Sequence, residues 1–188
     1  MEPVTRVSVR VAFLRRDQAP AGPPPPLPES AQVVTLAAPS VPYYRFLYDT
    51  VGADYLWWLR RVTPDDELAR YLRTPGISVH VLYAGGEPGG FFELDARPWP
   101  VVNLGYFGLM PRFIGRGFGG PFLRHAIDLV WRHRARTMTL NTCTADHKRA
   151  LPGYLAAGFT VYREIDEVWD VPRRLGMTIP AHLRKSSG

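Results

Sequence analysis

Thiols and lysines are scarce in this chain. Cys143 is the only cysteine in 188 residues, so no internal disulfide can form. Its place at the end of an alternating stretch reads as a buried thiol, not a nucleophile. Lys148 and Lys185 are the only lysines, so the formal net charge of +6 rests almost wholly on arginine. No apolar run is long enough to span a bilayer. Residues 7–14 are apolar, but Arg10 interrupts them and no cleavage site follows, so no secretory leader is read there and a cytoplasmic protein is expected. No His-Glu-x-x-His or Cys-x-x-Cys occurs, and His125 and His133 are not at ligand spacing, so no metal is expected. The arginines are scattered, apart from Arg15-Arg16, Arg60-Arg61 and Arg173-Arg174. No RNP, zinc-finger or basic-zipper pattern accompanies them. A basic nucleic-acid-binding protein is therefore the weaker reading, and cations near an anionic ligand the better one.

Hydrophobic residues make up 46% of the chain. That excludes wholesale disorder, and the length suits one domain with a proper core. Residues 7–14 read as a first strand. Residues 18–29 are proline-rich and form a polyproline loop or linker. Residues 32–36 are a second short strand or part of a split first one. Residues 42–61 are helical and aromatic, with Gly52 interrupting. Thr63 and Pro64 mark the start of a helix running to about Arg73, with Thr63 as N-cap. Residues 77–84 and 90–95 pair around the turn 85–89.

The most informative segment follows. An apolar strand, residues 101–109, stops at Pro111. A glycine-rich turn comes next, and then an amphipathic helix. In that helix Phe118, Phe122, Ala126 and Val130 form a stripe with Leu123 and Ile127 beside it. Arg124, Asp128 and Arg132 lie opposite at i,i+4 spacing. Helix starts present free N–H groups and partial positive charge, and glycines let phosphate oxygens approach them. The glycine spacing does not fit G-x-G-x-x-G. Pro121 and Phe122 follow where a nucleotide-triphosphate loop has Lys and Ser or Thr. A phosphate-bearing ligand other than these is implied.

A second block, residues 146–159, reads as turn, short helix and stop, with Asp146 capping the turn and Gly158 just past the helix end. A strand at 136–142 precedes it and another at 160–168 closes the sheet. The two blocks together resemble the GNAT superfamily of N-acetyltransferases. In its motif A, Q/R-x-x-G-x-G/A, Gly117 and Gly119 match, and Ile114 stands where Gln or Arg is usual. In its later pattern, N-x-x-A-x-x-x-Y-x-x-x-G-F, Ala150, Tyr154, Gly158 and Phe159 match, and His147 replaces Asn.

The resemblance implies an α/β (α+β) fold: a single domain over residues 1–171, with a mixed, mostly antiparallel sheet flanked by helices, and a basic tail at 172–188. It implies acetyl-CoA as co-substrate and no metal. Phe107 and Leu109 would offer backbone groups to the pantetheine arm. Ile114, Gly115, Arg116, Gly117, Phe118, Gly119 and Gly120 would hold the pyrophosphate, with Arg112 and Arg116 near the phosphates. Asn141 and His147 would flank the same ligand. Tyr154 would protonate the departing thiolate, a role a phenol in a dry pocket can fill, and a backbone N–H near Leu109 would polarise the carbonyl.

The acceptor would be a primary amine on a small molecule, peptide or protein. Tyr43, Tyr44, Phe46, Tyr48, Tyr55, Trp57 and Trp58 crowd the region where the superfamily builds its acceptor wall, although packing accounts for most of such rings. Glu93, which shares a strand face with Asp95, is the candidate base; a solvent-facing edge carboxylate is the alternative reading. A non-catalytic acyl-CoA-binding or sensory module stays open, as does a homodimer.

Overall fold

The strand-forming segments assemble into one seven-stranded sheet in the order β2-β3-β4-β5-β6-β1-β7. The strands are β1 (Val4–Arg16), β2 (Ala31–Leu36), β3 (Ile77–Ala84), β4 (Glu87–Asp95), β5 (Val101–Leu109), β6 (Thr137–Cys143) and β7 (Thr160–Pro172). Every neighbouring pair is antiparallel except β5–β6. The computed structural model describes residues 2–28, 31–180 and 183. Residue 29 of the proline-rich loop and residues 181, 182 and 184–188 of the basic tail lie outside the described residues.

β1 and β2 are not halves of one strand. β1 lies between β6 and β7, whereas β2 pairs only with β3 at the far edge. Five strand spacings separate them, roughly 24 Å. The proline-rich connection suits this crossing, since a polyproline chain advances about 3.1 Å per residue and resists folding back. It is tied to the helix beneath it: Arg124 Nη2 donates to the carbonyls of Ala21 (3.2 Å) and Gly22 (2.6 Å).

Two helical layers cover the sheet. On one face lie α1 (Val41–Gly52), α2 (Leu59–Val62) and α3 (Asp65–Leu72). Ser40 caps α1 by accepting from the Tyr43 N–H, and Tyr44, Leu47, Tyr48 and Val51 form its buried stripe. α1 sits close to the sheet because two glycines allow it. A Cβ on Gly108 would lie 2.3 Å from Val51 Cγ1, and one on Gly52 would lie 2.4 Å from Trp57 Cβ. Thr63 is not the N-cap of α3. Its hydroxyl donates back to the Leu59 carbonyl and closes α2. α3 instead starts on Pro64 without a side-chain cap, its N-terminus offset by Asp65, Asp66 and Glu67.

The other face carries α4 (Gly119–Arg132) and α5 (Ala150–Ala156). Phe122, Leu123, Ala126, Ile127 and Val130 of α4 are buried, and Arg124 pairs with Asp128 at 3.0 Å. Phe92 of β4 meets Phe122 at 5.2 Å, while its strand neighbour Phe91 points the opposite way to Tyr44. The chain past Pro172 turns back onto the sheet: Ile179 and Leu183 join Val7, Val9, Leu56 and Val171 in a second, smaller core. No described helix is long and apolar enough to cross a membrane.

His80 of β3 is buried beneath this architecture. Its Nδ1 shares a hydrogen bond with the Thr35 hydroxyl (3.0 Å), its Nε2 one with the Ser78 hydroxyl (2.9 Å), and its ring stacks on Phe92 at 4.5 Å. Burial, then His125 and His133, hold its pKa down to about 4. A depressed histidine favours the fold only while neutral, so its contribution is complete above the usual histidine value of about 6.5 and is lost as pH falls toward 4. Chemical denaturation across this window should show wild-type stability falling by up to about 3 kcal/mol more than that of His80→Gln.

Candidate active site

The cleft begins where two parallel strands stop pairing. β5 and β6 are in register from Val101↔Thr137 to Leu104↔Leu140 and no further, although β5 continues to Leu109 and β6 to Cys143. At the same point the β4–β5 ladder slips, because Glu93 faces Tyr106 and Leu94 faces Leu104, which leaves Gly105 as an extra residue. Such a bulge bends its strand and releases backbone groups from the ladder. The opening is a cleft of about 1360 Å³, floored by Gly105 to Leu109 on one side and by Asn141 and Cys143 on the other.

One end of the cleft is the glycine loop. Gly115 and Gly117 adopt φ of 78° and 84°, a backbone that favours glycine. An added Cβ at Gly115, Gly117 or Gly120 would meet nothing within 4 Å, and at Gly119 only Leu109 Cδ1 at 3.8 Å. The loop is therefore a hollow, not a packed turn. α4 starts there with no side-chain cap and no acidic residue in its first turn, so its N–H groups stay available to an anion. The residues fit a pyrophosphate. Ile114, Gly115, Gly117, Gly119 and Gly120 line the cleft together with Phe107, Leu109, Asn141 and His147. Phe118 does not present its side chain there: it is buried, edge-on to Phe113 at 5.4 Å. Arg112 is paired with Glu87, which neutralises the charge expected for a phosphate. Arg116 has no carboxylate partner among the described residues, and its guanidinium lies 5.7 Å from the Phe113 ring centre.

Tyr154 stands in the middle of the cleft. α5 buries its ring edge-on against Phe107 (6.3 Å) and Phe159 (6.2 Å), while the residue still lines the cavity. Burial first and then the Asp146 carboxylate raise the phenol above its usual range, which keeps the proton in place. Asp146 caps backward, not forward. Its Oδ2 accepts from the Thr142 hydroxyl (2.7 Å) and the Cys143 N–H (2.9 Å), fixing the end of β6. Burial first, then the Asp146 and Glu167 carboxylates, push the Cys143 thiol up to about 12, so it stays protonated.

The other end is an aromatic wall around a buried ion pair. Glu93 is 1% exposed, which removes the reading of a solvent-facing edge carboxylate. It accepts from Tyr44 Oη (2.6 Å), Tyr71 Oη (2.5 Å) and Arg60 Nη2 (3.2 Å). Burial first and then Glu93 raise both phenols, making them firm donors. The Arg60 guanidinium lies 3.9 Å from the centre of the Tyr71 ring. Above the pair, Tyr48, Trp57 and Tyr106 pack against one another at 4.9 to 5.4 Å. The aromatic cluster of the first helices divides: Tyr48, Tyr55, Trp57 and Trp58 face the cleft, Tyr44 is core, Tyr43 bonds Tyr83, and Phe46 is exposed.

Sequence reasoning missed Arg60, Tyr71, Tyr106, Glu167 and Trp169, all of which line the cleft. The alternation of β7 carried a usable signal for the last two, since Glu167 and Trp169 share a face. The described residues contain no group of three or more His, Cys, Asp or Glu able to hold a metal.

No curated protein matches the sequence. Among solved structures, the chain is similar to a GCN5-related N-acetyltransferase from Sphaerobacter thermophilus, at 16% identity and a TM-score of 0.62, over 90% of this chain and 53% of that one. It is similar to a GCN5-related N-acetyltransferase from Kribbella flavida at 14% and 0.60, over 89% and 60%. It is also similar to an aminoglycoside acetyltransferase from an uncultured soil metagenomic sample at 12% and 0.58, over 69% and 88%. The chain thus spans little more than half the length of the first two, and at these identities the likeness is one of fold. The sequence itself matches the acetyltransferase (GNAT) family over residues 43–159. That stretch runs from α1 through the glycine loop and the cleft to the end of α5. That match covers more than half of the chain and the fold agrees with it, so the chain belongs to the acetyltransferase (GNAT) family.

Proposed function

We propose that the protein is an N-acyltransferase that moves an acetyl group from acetyl-CoA to a primary amine. The observation that carries this reading is that one cleft holds the hollow glycine loop, the Tyr154 phenol and an aromatic wall. Acyl-CoA supplies the activated thioester. The amine nitrogen forms the new C–N bond as the C–S bond breaks; the nitrogen loses one proton and the sulfur gains one, giving amide and free thiol. The loop N–H groups and the α4 N-terminus take the phosphates. The parted segment of β5 offers backbone groups to the pantetheine arm and to the carbonyl oxygen. Tyr154 donates the proton to sulfur.

Glu93 takes a different part from the one its position first suggests. Both of its oxygens are already engaged, by two phenols and a guanidinium. It fixes Arg60 and Tyr71 as the acceptor wall, and the amine proton leaves through water.

Three outcomes test this reading. Tyr154→Phe should lower kcat by roughly 10²-fold, the scale of general acid catalysis, with melting temperature and CoA affinity nearly unchanged; full activity in the folded variant would assign the acid elsewhere. Gly119→Ala adds a methyl group to an open position of a helix, so thermal stability should hold or rise, while CoA affinity measured by calorimetry should fall about tenfold. Glu93→Gln leaves the half-buried Arg60 without its counter-charge and should cost about 3 kcal/mol in denaturant titration. It should leave the shape of the kcat/KM pH profile intact. A profile that loses its acidic limb would return Glu93 to the role of base.

A further inference from the structure

The cleft does not end at the aromatic wall. It continues over the face of β6, β1 and β7, where Val11, Phe13, Trp58, Cys143 and Trp169 line it. The ladders explain why these side chains meet. Val11 is opposite Cys143 on one side and Ile165 on the other, Val9 is opposite Glu167, and Val7 opposite Trp169. Directly paired residues share a face, so one face carries an apolar trough with a single carboxylate, Glu167, at its far end.

That carboxylate differs from its neighbours. Asp166 and Asp170, on the opposite face of β7, pair with Arg10 and Arg6 at 2.9 Å each. Glu167 has no cationic partner among the described residues; its Oε2 accepts from the Trp169 indole N–H at 2.7 Å. The nearest cation on the same face of the strand, Arg163, is four residues away, about 13 Å along a strand, and its guanidinium lies 5.7 Å from the Phe13 ring centre. A half-buried carboxylate held by an indole, in a cleft that Trp58 also lines, has the chemistry of an ammonium site, anionic with aromatic faces.

We propose that the amine acceptor carries a second ammonium group, seated on Glu167 between Trp169 and Trp58, and joined to the reacting amine by an apolar spacer. This rests on the acyl-transfer reading and names its substrate class. β7 lies two strands beyond β6, so Glu167 is roughly 10 Å across the sheet from β6, the near wall of the gap. Between the two, Val11, Phe13 and Cys143 line the way and Asn141 stands at its inner end, so most of the path is apolar, which favours a hydrocarbon spacer over a sugar.

The test compares 1,8-diaminooctane with octylamine as acceptors, using wild-type protein and Glu167→Gln. Glutamine keeps the shape and still accepts from Trp169. Wild type should prefer the diamine in kcat/KM by about tenfold, and Glu167→Gln should bring the ratio of the two amines close to one. An unchanged ratio, or an equal loss on both amines, would overturn the proposal. Calorimetric binding of the diamine to the CoA-loaded protein is measured in parallel. Binding that depends on Glu167 without turnover of any amine would sustain the ammonium site and refute acyl transfer. Binding that is absent, or indifferent to Glu167, would overturn the ammonium site itself.

Discussion

A parallel ladder holds only while both strands advance in step, and β5 and β6 cease to do so after Leu104 and Leu140. The bulge at Gly105 turns β5 away from β6 while its pairing with β4 resumes at Tyr106. From that divergence follow a stretch of β5 backbone unpaired on its β6 side and the cleft into which the glycine loop, Tyr154 and the aromatic wall all face. The glycine loop lies at the end of β5, and Tyr154 comes from the helix that follows β6. The aromatic wall comes from helices seated on β4 and β5. Were the two strands paired to their ends, their backbone groups would be satisfied and no cleft would open.

The charges along the cleft run in a consistent direction. The loop end is electropositive, with the uncapped N-terminus of α4 and an unpaired Arg116. In the middle, burial keeps Tyr154 and Cys143 neutral. Around the aromatic wall Arg60 pairs with Glu93 and Arg97 with Asp95, whereas Glu167 beyond it has no cationic partner among the described residues. An anionic donor and a cationic acceptor would thus be drawn to opposite ends of one channel. That sorting costs no moving part.

Where the signal was local, the sequence disclosed the structure closely. The strand at Val101–Leu109 was read to the residue because its end is marked by a proline. The α4 stripe was legible from its period, and the glycine loop from the glycines clustered between a strand's end and a helix's start. The failures were non-local. β1 alternates in the same way whatever its neighbours, so nothing in residues 4–16 says that they lie between β6 and β7. Glu93 could be placed on a face with Asp95, yet its burial depends on Tyr44, Tyr71 and Arg60, 22 to 49 residues away. Thr63 was misread because a capping residue and a helix-closing residue use the same hydroxyl; which carbonyl or N–H it meets is decided by the turn.

The place of β1 has a consequence for how the chain reaches its fold. The first strand of the sheet in chain order sits between the last two: Arg6 and Asp170, joined across the β1–β7 ladder, are 164 residues apart. Contacts of such separation are slow to form. A 13-residue strand must therefore wait, with both edges unpaired, until β6 and then β7 exist. During that interval it is a template for pairing with other chains. Its sequence carries Arg6, Arg10, Arg15 and Arg16 among the valines, charges spaced so that no long apolar stretch is offered to a stranger. In the finished sheet Arg6 and Arg10 become ordinary surface ion pairs, worth little to stability. Their larger service falls in the time before they have partners.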